Sequence, residues 1–431
     1  MDSLSQRLRI RESQLPFYLV FSQSMASIAP LSSVSAYLTV TLLTAGTSSG
    51  LATILGVLMY STWAYIGYRF SKLYPSEGGT YTFARNIFGP RLSSAVGWIY
   101  WGSYVFYMVS TLTYLAGFLL QFYNTPPVVS KVLEVAVPSL IILIMIAGVR
   151  PPLFYGLITS VLEMLFIVVL GLQVIRLDGI NLVVPPKGSV YQLLTGSIVA
   201  SFTVAGGGAS FFLGKEAKGK GRAVGMAYIM AFISASIIMI FSAFFLVSAS
   251  KNVVGGLTNL VNTGFPGLIV AKLYLGEPFA TIMFLLTVNS LIGSLIAAYV
   301  SVSRLTLSLN GISLSRSVFA VGAVFFTSAV TIALSDQFSM AYEYFLIFSL
   351  FSLFISHTLL SIGYSKLSLR NGYHIKDFLL GLVSASVMIG GLYSTYLTTG
   401  PIALLGIVVV VGLGLTGLVI SSFNFTEGQG K

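Results

Sequence analysis

Few side chains in this 431-residue chain are equipped for chemistry: cysteine is absent, histidine occurs twice, and the acidic residues number 12. The backbone is therefore the first candidate ligand. Two apolar stretches are interrupted by residues that free backbone groups, Ser24-Met25-Ala26-Ser27-Ile28-Ala29-Pro30 and Val204-Ala205-Gly206-Gly207-Gly208-Ala209. Pro30 has no amide and disfavours helical geometry at Ala29, while Ser24, Ala26 and Ser27 are small enough for a ligand to approach backbone. In the second stretch each of Gly206, Gly207 and Gly208 costs a helix about 1 kcal/mol relative to alanine. An unpaired backbone group at bilayer depth persists only against protein, water or a ligand. Freed amides before a restarting helix favour a carboxylate. Each break has a packing alternative, a proline kink in one case and a close small-residue crossing in the other. Their matching places in the two halves of the chain favour one shared binding site.

Among side chains, Glu163 is the one acid expected in mid-span, where an unpaired carboxylate is costly enough to be a functional candidate. Its expected role is to take up and release a proton as the site changes access; the alternative is a permanently protonated structural carboxyl. Ser290 and Ser294 share a predicted span with Asn289. Their hydroxyls leave sodium coupling open, and Asn289 reads as a substrate contact or, preferably, as a bond to a neighbouring helix. His357 and His374 are too few for a histidine-rich metal site, so His357 is expected to be a satisfied structural residue. Trp98, Tyr100, Trp101 and Tyr104 follow a predicted inside loop and read as an interfacial belt sooner than as a substrate wall. Lys215, Glu216, Lys218, Lys220 and Arg222 read as a solvated loop, with anionic lipid as an added contact. The chain has no G-x-x-x-x-G-K-[ST] or H-E-x-x-H motif, which argues against ATP-driven transport and a membrane metalloenzyme; no cofactor is expected.

The elements that must carry these residues are dictated by composition. With 56% hydrophobic and 8% charged residues and a mean hydropathy of +0.92, the chain is a polytopic membrane protein. Apolar runs long enough to cross about 30 Å of hydrocarbon predict twelve helices, at 15–43, 50–73, 88–122, 131–148, 152–176, 190–214, 222–249, 276–309, 316–335, 340–362, 374–396 and 401–421. The runs at 15–43, 88–122 and 276–309 exceed a straight crossing and imply tilt, a break or extension into solvent. Residues 1–14, with Arg7, Arg9 and Arg11, are too polar for a signal peptide and are expected to be cytoplasmic. Of the 23 Lys and Arg, only Lys131, Arg176, Lys187, Lys251 and Lys272 then fall outside. That skew follows the positive-inside rule and puts both termini, including the tail 422–431, in the cytoplasm of a plasma-membrane protein. It also accounts for the net charge of +11 without a nucleic-acid partner.

Five spans in each half, 15–178 and 190–362, make two repeats of opposite orientation, because an odd number inverts the second; 374–421 adds two helices. Residues 250–275 form a long outside segment, a re-entrant lid or an ordinary loop.

Residues 75–101, PSEGGTYTFARNIFGPRLSSAVGWIYW, resemble the helix 2 to helix 3 signature of the amino acid, polyamine and organocation transporter superfamily, a proline, then GG-x-Y, F-G and G-W. Residues 202–222, FTVAGGGASFFLGKEAKGKGR, resemble its sixth helix and the following loop. The resemblance implies the five-plus-five fold of the bacterial leucine transporter, with an amino acid bound between broken helices 1 and 6. It implies that Ser24, Met25, Ala26 and Ser27 present amides to the substrate carboxylate. Phe202 matches the family's aromatic gate, Ala205 the carbonyl that accepts the ammonium, and Gly206 the central glycine; Gly208 stands where an acid is frequent. The first helix lacks the family's G-S-G triplet. Where similar proton-coupled members carry a helix 5 lysine, this chain has Glu163. A carrier of neutral amino acids, coupled to protons, is the expectation. Exchange, sodium coupling, a channel and a non-transporting sensor are the alternatives.

Overall fold

A computed structural model describes residues 8–180, 189–370, 372 and 374–428, without the side chains of 36, 37 and 423–428. Residues 1–7 of the expected N-terminal segment, Arg7 among them, lie outside the described residues, as do 429–431 of the expected tail. The first half contains α1 (Phe17–Ile28), α2 (Leu38–Ala45), α3 (Ser49–Leu73), α4 (Thr80–Phe88), α5 (Pro90–Gly117), α6 (Pro127–Ile146) and α7 (Arg150–Asp178). The second contains α8 (Val190–Ser201), α9 (Lys220–Ala249), α10 (Gly256–Asn262), α11 (Pro266–Asn310), α12 (Leu314–Ser335) and α13 (Phe338–Arg370). Helices α14 (Ile375–Thr399) and α15 (Ile402–Gly428) complete the chain.

Among the described residues, eleven helical segments are long and apolar enough to cross a membrane. The remaining predicted crossing is the first: α1, with 12 residues, is too short to span alone, and it continues through an irregular segment into α2. The protein is a multi-pass membrane protein with broken first and sixth spans and the five-plus-five arrangement of leucine-transporter-type carriers. Exposed apolar side chains such as Leu43, Leu58, Leu143 and Leu172 face outward, where hydrocarbon replaces water as their solvent.

Of the three overlong runs, 15–43 is broken at Ala29, and the other two begin at breaks. Gly89, at φ +78°, separates the amphipathic α4 from α5. Gly276, at φ +83°, followed by Pro278, kinks α11, which begins ten residues before the predicted 276. The segment 250–275 is therefore largely helical, with α10 burying Leu260 and Val261.

Packing around the two breaks depends on residues without bulk. A Cβ on Gly56 of α3 would sit 2.4 Å from the Ser197 carbonyl oxygen of α8, and one on Gly156 of α7 would sit 3.1 Å from Ser22 Oγ of α1. These close approaches bring the backbones of neighbouring spans together behind the breaks.

Candidate functional site

The first break falls at Ala29, the residue before proline, which adopts a left-handed conformation at φ 52°. Pro30 then restarts the chain as a helical turn, Pro30–Ser32, continued by a wider π-type turn over Ser33–Tyr37. A restarting helix exposes its first amides. Here they meet side chains from distant spans: the Leu31 amide donates to Glu163 Oε2 at 3.3 Å, and the Ser32 amide donates to Ser290 Oγ at 3.4 Å. Ser290 Oγ in turn donates to Glu163 Oε2 at 2.7 Å. One carboxyl on α7 thus collects two donors, from α1's continuation and from α11, while Glu163 itself is buried.

The second break is made of glycine. Helix α8 tightens into a 3-10 turn, Phe202–Val204, and Ala205 is extended. Gly206 sits at φ 98°, and a 3-10 helix runs over Gly207–Leu213. The first amides of that helix, those of Gly207 and Gly208, lie beyond the reach of its own carbonyls. The two breaks touch. A Cβ on Gly206 would lie 2.7 Å from the Ser27 carbonyl oxygen, so only glycine fits there, and Ser24 Oγ donates to the Gly207 carbonyl at 2.6 Å.

Between them opens a cavity of about 520 Å³. Its wall brings together Ser27, Phe202, Ala205, Gly206 and Gly208 of the expected site. The rest is aromatic, hydroxylic and aliphatic, including Tyr60, Trp63, Tyr100, Tyr104 and Leu353, and among the described residues no Asp, Glu, Lys or Arg lines it. Thr44, Gly264, Tyr342 and Thr398 line its other end. They lie at helix ends on the face opposite the N-terminus. Phe202 packs edge-on against Phe354 of α13 at 4.3 Å between ring centres.

A family model described as amino acid permease matches residues 17–413, nearly the entire length. The chain belongs to the amino acid permease family. No protein of curated function matches its sequence. Solved structures of the same fold include a Na+-coupled sialic acid symporter in a substrate-bound outward-open state, 12% identical with a TM-score of 0.52, covering 87% of this chain and 89% of that one. A manganese transporter of Eremococcus coleocola is 14% identical, also at a TM-score of 0.52, with 95% of each chain covered. A variant of that manganese transporter is 13% identical at 0.52, covering 97% and 98%. The permease is thus a secondary transporter and not an enzyme.

On the N-terminal face the permease is sealed. The amides of Ser13, Gln14 and Leu15 donate to the carbonyls of Lys215 and Glu216, and the Lys218 amide donates back to Leu15. Beneath this strap Arg304 of α11 makes a two-pronged pair with Glu216, Nε to Oε2 at 2.6 Å and Nη2 to Oε1 at 3.1 Å. Both members are buried. The first family-like motif packs here too: the Gly214 amide donates to the Ser76 carbonyl at 3.0 Å. Glu216 is therefore part of a closed ionic seal and not of a solvated loop, because Arg304 reaches it from mid-chain.

Other expectations shift. Ser24, Met25, Ala26 and Ser27 lie within regular helix, so their amides are spent on the preceding turn, and Ser27 alone of the four lines the cavity. Pro30 acts one residue upstream, which puts the break at Ala29 and leaves the serine-rich stretch helical. Gly207 is behind the wall, its position packed on Tyr228. Asn289 accepts a hydrogen bond from the Tyr155 hydroxyl, a bond to a neighbouring helix, and Ser294 Oγ donates to its own helix at Leu291, 2.8 Å. Glu134 of α6 is a further buried acid with no basic partner among the described residues, and Thr113 Oγ1 donates to its Oε1 at 3.1 Å. It sits close to a predicted span end, which hid it. Tyr100 and Tyr104 line the cavity and do not form an interfacial belt. Helix α5 begins at Pro90, so Tyr100 lies roughly 15 Å along its axis at 1.5 Å per residue. His357 is not a satisfied structural residue; neither ring nitrogen has a partner among the described residues. Gln23, not singled out by sequence, donates from Nε2 to the Ala297 carbonyl at 2.9 Å and ties α1 to α11. Among the described residues no group of three or more His, Cys, Asp or Glu side chains gathers.

Proposed function

We propose that this permease carries a neutral amino acid across the plasma membrane by alternating access, with a proton as the coupling ion. The observation that supports the reading best is the contact of two broken helices at Ser27 and Gly206, on one cavity whose wall carries no formal charge. A zwitterion needs separate partners for its two ends. The carbonyls at the end of α1 and around Ala205 suit the ammonium. The amide of Gly208, in the first turn of the 3-10 helix, suits the carboxylate, in place of the amides of Ser24 to Ser27. The aromatic wall, with Phe202 and Tyr60 in edge contact at 6.1 Å, takes the uncharged side chain.

Glu163 supplies the coupling. When ionised, it caps the restarted helix at Leu31 and holds Ser290, so that the first, fifth and eighth spans are tied at one oxygen. A proton removes the charge that strengthens those hydrogen bonds. The tie loosens, and the repeats 15–178 and 190–362 can change their relative arrangement around the site. Proton arrival is thereby linked to the change of access. The cavity mouth and the sealed strap correspond to an outward-facing arrangement, with the N-terminal face in the cytoplasm, in keeping with the distribution of Lys and Arg.

Counterflow tests this reading. Proteoliposomes preloaded with unlabelled neutral amino acids are expected to accumulate external labelled tracer transiently. A channel would equilibrate the tracer without overshoot, and a sensor would admit none; either result would overturn the proposal.

A further inference from the structure

His357 is a polar group on the cavity wall that the transport reading leaves unused. Among the described residues of the wall it is the only imidazole, and it is unpartnered, as are the hydroxyls of Thr39 and Tyr114. It lies on α13, one helical turn beyond Phe354, the ring that contacts Phe202. Its imidazole stacks on Trp63 with ring centres 3.8 Å apart and planes 24° apart, and Tyr100 flanks it at 5.7 Å. His357 is 3% exposed, Trp63 1% and Tyr100 3%, yet all three line the cavity. Both nitrogens, Nδ1 and Nε2, lack a partner among the described residues. The two rings fix the plane of the imidazole, so its nitrogens are held in place with none of these residues to bond. A buried polar group in that condition costs about 1–3 kcal/mol unless something else satisfies it.

We infer that His357 is the residue that selects the substrate's side chain, and that the permease prefers neutral amino acids whose side chain carries a hydroxyl or carboxamide over apolar amino acids of the same shape. The inference rests on the amino-acid reading above. A neutral imidazole offers one donor and one acceptor. A hydroxyl or a carboxamide offers both in return, whereas a methyl group or bare ring leaves the two nitrogens unpaired. His357 is held among the rings of Trp63 and Tyr100, with Phe354 one turn away. A site built to hydrogen-bond a substrate group rejects the analogue that lacks it far more strongly than an apolar pocket rejects a missing methylene.

The test is direct binding to purified, detergent-solubilised protein, read as ligand-induced thermal stabilisation over a concentration series. Four near-isosteric pairs serve as ligands: serine and alanine, threonine and valine, glutamine and methionine, tyrosine and phenylalanine. The wild-type protein is expected to bind the polar member of at least one pair ~10-fold or more tighter. His357→Phe, which keeps the stack on Trp63, is expected to bind both members of that pair within about twofold. His357→Gln, which keeps a donor and an acceptor, is expected to retain the preference. His357→Leu replaces the phenylalanine variant if the latter does not fold. Equal binding within every pair by the wild type, or a preference that survives in the apolar variants, would overturn the role of His357 while leaving the amino-acid reading intact. Failure of all eight amino acids to stabilise the wild type would overturn that reading, and this inference with it.

Discussion

The two breaks reach similar geometry by opposite means. At the first, proline removes an amide and takes Ala29 out of helical geometry, Ala29 turns left-handed, and the amides released at Leu31 and Ser32 are taken up by Glu163 and Ser290. At the second, glycine unwinds the helix without a side chain to fill the gap, and Gly206 and Gly208 face the cavity. One break is closed by the protein's own titratable group; the other is left for a ligand. In the proposed function, binding and coupling are divided between two sites in contact through Ser27 and Gly206. A carrier needs that contact, since occupancy of one site has to bias the other.

The largest effect is expected where the two breaks meet. Gly206→Ala places a methyl group 2.7 Å from the Ser27 carbonyl oxygen on a backbone at φ +98°, and it is expected to lower tracer counterflow by ~100-fold, from strain together with the clash. An unchanged rate would mean that the breaks do not need to touch. Ser290→Ala removes one of two donors to Glu163 and leaves the Ser32 amide without its acceptor. A loss of about 1 kcal/mol, or a several-fold fall in gradient-driven uptake with counterflow largely retained, would fit its place on the coupling side. An equal fall in both would assign it to substrate binding. The smallest effect is a gain: Ala29→Gly relieves a left-handed alanine, worth up to about 1 kcal/mol, and should raise the melting temperature in detergent slightly. A lower melting temperature would show that the first break is held by something other than the conformation of Ala29.

The existence of both breaks was legible in the sequence because proline and a glycine triplet act on backbone geometry locally. Their occupants were not. Glu163 stood out as an acid in an apolar span, but its bond to Leu31 joins positions 132 residues apart. No local pattern reports which amide a distant carboxyl will reach. Pro30 pointed to Ala29, but nothing local in the stretch from Ser24 to Ser27 shows that it stays helical and spends its amides on the preceding turn. Tyr100 and Tyr104 looked interfacial because they follow an inside loop in sequence, whereas about three to four turns of α5 carry them from Pro90 to the cavity. His357 looked ordinary for the same kind of reason, since a missing partner is a property of the packed structure.

The most direct measurement is uptake of a labelled neutral amino acid into proteoliposomes with and without an inward proton gradient, for the wild-type protein and Glu163→Gln side by side. The division of labour between the breaks predicts that the gradient drives accumulation by the wild type, and that Glu163→Gln loses this drive while still performing counterflow. Gradient-driven accumulation that persists in Glu163→Gln would contradict it.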